Sequence, residues 1–169
     1  METILYTNAI TGQNAGQDEV LDLLNDIIDR SLLIPPERPY VKLAHYIPQA
    51  LEFLNDLTIP KNIPYNGYEW ITDDMDNPGV KVTFKLIKRA TSFRDVYELR
   101  INAHPLFFRT FFYIYHDVEY QYKIMTRAFI KTEQNPSIQQ EAITETALQA
   151  KAFYENPMRN LKNLKLKNQ

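Results

Sequence analysis

The chain contains no cysteine. Disulfide scaffolds, thiolate zinc sites and a cysteine nucleophile are therefore excluded by composition. Glycine is scarce, with four residues in 169, and no glycine-rich phosphate loop is present. Neither a Ser-His-Asp order nor a helical pair of metal ligands occurs. No apolar run is long enough to span a bilayer, and residues 1–14 lack a basic segment followed by an apolar one. The expectation is a cytoplasmic protein with no membrane association and no cofactor or metal.

What is present suits a folded domain. Hydrophobic residues make up 44% and charged residues 24%, with eleven Tyr, nine Phe and one Trp, a composition that favours strands and a packed core over disorder. One domain over residues 1–169 is expected. Its net charge of −2 hides a division: residues 1–79 carry 13 acidic and 4 basic side chains, residues 80–169 carry 8 acidic and 15 basic. The second part alone would attract a polyanion, although solvated charge serving solubility is the alternative.

Periodicity divides the chain further. Thr3 to Thr7 reads as a short strand, followed by a polar loop. Val20, Leu21, Leu23, Leu24, Ile27, Ile28 and Leu32 recur at helical spacing, with Asp18 and Glu19 at the helix start. A second helix is expected over Leu43–Leu57, kinked or begun by Pro48. Thr58 to Gly79 reads as a long connection, its Asp73-Asp74-Met75-Asp76 cluster as a solvated turn lacking the Gly and distal Glu of a calcium loop. Alternation then indicates strands at Lys81–Lys88, Asp95–Asn102, Leu106–Tyr115 and Glu119–Lys131, with turns at His104-Pro105 and His116-Asp117. Ser137 and Gln140 suggest a capping box opening a helix that ends near Asn156-Pro157. The basic tail 157–169 reads as a frayed helix or a disordered arm. The fold class expected is α+β: an antiparallel twisted sheet of about four strands plus a possible N-terminal strand, packed by an N-terminal helical hairpin and a C-terminal helix.

The ordered set Glu98-Leu99-Arg100, Arg109 ahead of the aromatic run Phe111–Tyr115, and Phe129-Ile130-Lys131 before Pro136 is similar to the RelE/HigB-type toxin family of bacterial type II toxin–antitoxin modules. The resemblance covers about Lys81 to Tyr154 and, more faintly, the helical hairpin. Where the family carries two adjacent lysines, this chain reads Phe-Ile-Lys-Thr. The resemblance implies a metal-independent, ribosome-dependent endoribonuclease that cleaves mRNA by 2′-OH attack on the adjacent phosphate, and a cognate antitoxin protein as partner.

Such chemistry needs a proton acceptor, cations that offset charge on phosphorus, and a proton donor to the leaving oxygen. Arg109 is the first candidate for phosphate clamping, with a cross-strand ion pair to Glu98 or Glu119 as its structural alternative. Arg100 is a second clamp or a partner of Glu98. Lys131 is a phosphate ligand or base, or simply a solvated lysine. His116 is a candidate for proton transfer or an ordinary turn residue. Lys85, Lys88, Arg89 and Arg127 are candidates for RNA-backbone contact, and Tyr113 and Tyr115 for base stacking, with solubilising charge and sheet packing as the respective alternatives. Two further readings stay open. One is a toxin-fold binding or regulatory protein without catalysis; the other is a phage-derived interaction domain.

Overall fold

A computed structural model describes residues 1–90, 93, 95–132 and 137–169. In chain order the elements are β1 (Ile4–Tyr6), α1 (Glu19–Ser31), α2 (Arg38–Asp56), β2 (Tyr68–Asp73), β3 (Lys81–Arg89), β4 (Tyr97–Ala103), β5 (Leu106–His116), β6 (Gln121–Lys131), α3 (Ser137–Tyr154) and α4 (Pro157–Lys167). The strands form one sheet in the order β1-β6-β5-β4-β3-β2. The fold is thus α+β, but its sheet has six strands and is mixed: β2 to β6 pair antiparallel, whereas β1 lies parallel to β6. The expected N-terminal strand is present as β1, while the antiparallel sheet of about four strands is corrected to five, with β1 added in parallel.

Two helical layers cover the sheet. On one face α1 and α2 bury Val20, Ile27, Leu43, Ile47 and Leu54 against Leu99, Ile101, Phe108, Phe112 and Met125. On the other, α3 packs Ala142 and Ile143 on Phe111, while Phe153 and Leu161 of α3 and α4 close over Leu5, Tyr113 and Ile124. Alternation along β5 sends its even residues to the hairpin and its odd residues to α3. Among the described residues, no helix is long and apolar enough to cross a membrane.

The helix starts follow local chemistry. Asp18 caps α1 by accepting from the Leu21 amide at 3.1 Å. The second helix begins five residues before the periodicity suggests, at Arg38, because Pro39 is preset for a first turn. Pro48 lies within it and does not begin it. The region expected to be a connection contains β2, whose Trp70 is buried and whose Ile71 is 59% exposed, an edge strand packed on one side only. At the end of β2 and in the turn that follows, Asp73 and Asp76 pair with Lys81 and Arg38 respectively. Of the two readings of the basic tail, the helix holds and the disordered arm does not. The tail forms α4, with Leu161 buried and Asn168 closing the outer edge of β1: its Oδ1 accepts from the Tyr6 amide at 2.9 Å, and its Nδ2 donates to the Tyr6 carbonyl at 3.0 Å. The expected Ser137 side-chain cap and Pro136 lie outside the described residues and side chains.

Two details of β6 bear on the site. Phe111 pairs with Arg127 and Phe112 with Met125, so Thr126 is an extra residue, a bulge that turns Thr126 and Arg127 to the α3 face. Nearer its start, the buried Lys123 donates to the carbonyls of Leu57 (2.5 Å) and Asn55 (3.4 Å) and to the Thr3 hydroxyl (3.4 Å), tying the end of α2 to the sheet. Burial pulls its pKa down to about 8, against a smaller upward pull from Asp56.

Candidate functional site

The two-residue turn His104-Pro105 sets Ala103 opposite Leu106, and every pair behind it follows: Asn102 faces Phe107, Arg100 faces Arg109, and Glu98 faces Phe111. Across the next ladder, Arg109 faces Phe129 and Phe107 faces Lys131. Directly opposed residues share a face, so Arg100, Arg109 and Lys131 all lie on the α3 side of the sheet. Lys131 is the diagonal neighbour of Arg109, about 7–8 Å away on a regular ladder. On the other side, Lys88 pairs with Glu98 and extends the row to β3.

Arg109 is 4% exposed. Its Nη1 donates to Asn102 Oδ1 and to the Phe108 carbonyl, each at 2.8 Å, and its guanidinium carbon lies 6.0 Å from the Phe107 ring centre. Burial lowers its pKa, the charge of Arg100 lowers it further, and Glu98 offers partial relief, leaving it at about 10. Arg109 is therefore cationic at neutral pH yet undercompensated. Arg100 is more open, its side chain 27% exposed, with Nε 3.1 Å from Glu98 Oε1. That nitrogen is at ion-pair distance but has no aligned hydrogen bond. Lys131 donates to Gln139 Oε1 at 3.2 Å from the first turn of α3. Among the described residues, Lys88, Arg100, Arg109 and Lys131 thus share a face around the buried Glu98, beside Arg127, whose charge is taken up by carboxylates of its own. Such an arrangement favours an incoming anion. Behind it, Phe129 stacks on Phe111 at 5.8 Å between ring centres.

Several other candidates lie elsewhere. Arg127 is buried within a carboxylate cluster: Nε donates to Glu19 at 2.9 Å, and Nη1 approaches Glu145 at 3.3 Å and Glu141 at 3.4 Å. Burial works against its charge, but the hydrogen bond it donates to Glu19 and the charges of Glu19, Glu145 and Glu141 outweigh it and raise its pKa. It holds α1, β6 and α3 together and has no surface to offer RNA. Tyr113 is 2% exposed and packs on Phe153 and Tyr154, and Tyr115 also rests on Phe153. Both are packing residues. His116 pairs with Gln121 at the far end of β5, on the hairpin face. Seven residues separate it from Arg109, about 23 Å of strand, so it cannot join that site. Lys85 is ion-paired with Glu69 across the β2–β3 ladder. Arg89 points to the hairpin face, donating to Lys61 O and Tyr97 Oη.

Asn102, Glu98 and Gln139 hold the cations that the motif supplies, and the motif itself does not name Asn102 or Gln139. The signal for Asn102 was its parity with Arg100 once the tight turn is recognised. Compared with protein-family models, curated proteins and solved structures, the chain finds no match in any of the three.

Proposed function

We propose that the chain binds RNA across the sheet face carrying Arg100 and Arg109 and, as the resemblance to RelE/HigB-type toxins implies, cleaves mRNA on the ribosome through attack of a 2′-OH on the neighbouring phosphate. The observation that carries this reading is the pairing of Arg100 with Arg109, with Lys131 diagonal to the latter. Two planar guanidinium forks side by side match the geometry of a phosphodiester and offset the charge that accumulates on its oxygens. Lys131, diagonal to Arg109 on the same face, is the member of this set whose ammonium carries transferable protons. A cognate antitoxin would neutralise the face with acidic side chains.

A second reading, RNA docking without cleavage, draws support from the inward hydrogen bonds of Arg109 and the remoteness of His116. Induced expression in a bacterial host separates the two. Growth arrest with new mRNA ends confined to translated regions, lost on Arg109→Ala, is the expected result for the nuclease. A folded wild-type protein that causes neither arrest nor new ends leaves docking as the function.

A further inference from the structure

The segment between α2 and β2, residues 57–67, passes over the end of β3 where β2 has stopped. β2 accompanies β3 only as far as Ile87. Beyond that point Lys88, Arg89 and Ala90 meet Asn62, Ile63, Pro64 and Tyr65 instead of a strand, and together they line an open cleft of about 410 Å³. That volume is in the range that holds small organic ligands. Gly67 permits the close approach. Its φ is +112°, and a Cβ there would lie 3.2 Å from Lys85 Cβ and 3.4 Å from the Ile87 carbonyl. Arg89 locks the loop in place through Nη2, 2.6 Å from Lys61 O and 3.0 Å from Tyr97 Oη. Its Nε is buried with no hydrogen-bond partner.

Tyr65 is 86% exposed. The Lys88 ammonium sits 5.7 Å from its ring centre, which leaves the opposite face of the ring to solvent. An exposed ring of this kind beside a cation is unusual as packing, because it buries almost nothing. It is the arrangement that single-strand-binding surfaces use to stack an unpaired base next to a held phosphate.

We infer that this cleft is a nucleobase site for single-stranded RNA: an unpaired base stacks on Tyr65, its phosphate lies by Lys88, and Asn62 meets its polar edge. The inference rests on the RNA-binding reading above and extends it. Lys88 shares its sheet face with Glu98 and Arg100, and the strand order β6-β5-β4-β3 carries the path from Lys131 through Arg109 and Arg100 to Lys88. Three strand spacings and an offset of four residues along the strands make that path about 20 Å, the reach of a few extended nucleotides. A duplex has no base free to occupy the cleft.

The test is binding of a hexaribonucleotide bearing 2-aminopurine to the full chain, read by anisotropy for affinity and by quenching for stacking. Tyr65 is exposed, so its substitution leaves the core intact. The expected result is that Tyr65→Ala loses affinity by on the order of tenfold together with the quench, and that Tyr65→Trp restores both. Wild-type affinity and quench in Tyr65→Ala, with binding still lost in Arg109→Ala, would overturn the cleft while leaving RNA binding on the sheet intact. No binding by the wild type would overturn both readings.

Discussion

Arg109 and Arg127 lie on the same face of adjacent strands, one on β5 and one on β6, and both are 4% exposed. Their surroundings differ completely. Three carboxylates converge on Arg127, two of them buried, and its charge is overcompensated. Arg109 is met by an amide oxygen, a backbone carbonyl and a second arginine. Burial alone does not tell a structural arginine from a binding one; the partners do. A buried cation whose partners are neutral is the one that gains most from an arriving anion.

Substitutions sharpen this contrast, and the largest effect belongs to Arg127. Arg127→Ala leaves Glu19 and Glu145 buried without their cation, and chemical denaturation should register a loss of about 3–5 kcal/mol. Adding Glu145→Gln should recover part of it. If the single variant unfolds like the wild type, the cluster does not hold the layers together.

Lys123 comes next, since it is also a buried cation but one held by neutral oxygens. Its folded-state pKa of about 8 lies below the usual lysine value, so between roughly pH 8 and 10.5 the unfolded chain binds the extra proton and stability rises with pH. Relative to Lys123→Met, the wild type should gain about 2 kcal/mol between pH 7.5 and 10. A difference between the two proteins that stays flat over that range would remove the depressed pKa.

Arg109→Met should change unfolding free energy by less than about 1 kcal/mol, because the cation it removes is poorly compensated. The same variant should flatten the dependence of RNA affinity on salt by about one unit of log–log slope. A large loss of stability would make Arg109 a second Arg127. Smallest of all, His116→Ala should leave RNA binding within error, as a residue on the far end and opposite face must.

Much of this was legible in the residues, and the gaps have physical causes. The alternation from Leu106 onward and the tight turn at His104-Pro105 gave β4 to β6, and with them the juxtaposition of Arg100 and Arg109. β2 was hidden because an edge strand buries one side only, and Tyr-Glu-Trp-Ile-Thr-Asp has an exposed isoleucine where polarity was expected. The parallel partner of β1 is a long-range choice that no local pattern encodes. Tyr113 and Tyr115 were open to two readings from strand parity alone, and the helices that cover them decided for packing. Arg127 looked like any other basic residue on a strand because its three acidic partners come from distant segments. Loop residues such as Tyr65 carried no periodic signal, so their place beside Lys88 emerged only in three dimensions.

The bulge at Thr126 acts as a phase adjuster within a single strand. Upstream of it, Lys123 and Met125 face the helical hairpin; downstream, Arg127, Phe129 and Lys131 face α3. A chain shortened by one residue at this point would have to turn one of these two sets to the wrong face, driving Lys123 out of its cage of oxygens or carrying Lys131 away from Arg109. Length at position 126 is therefore under tighter constraint than side-chain identity there. Homologues that differ in many β6 residues should still align without a gap across it.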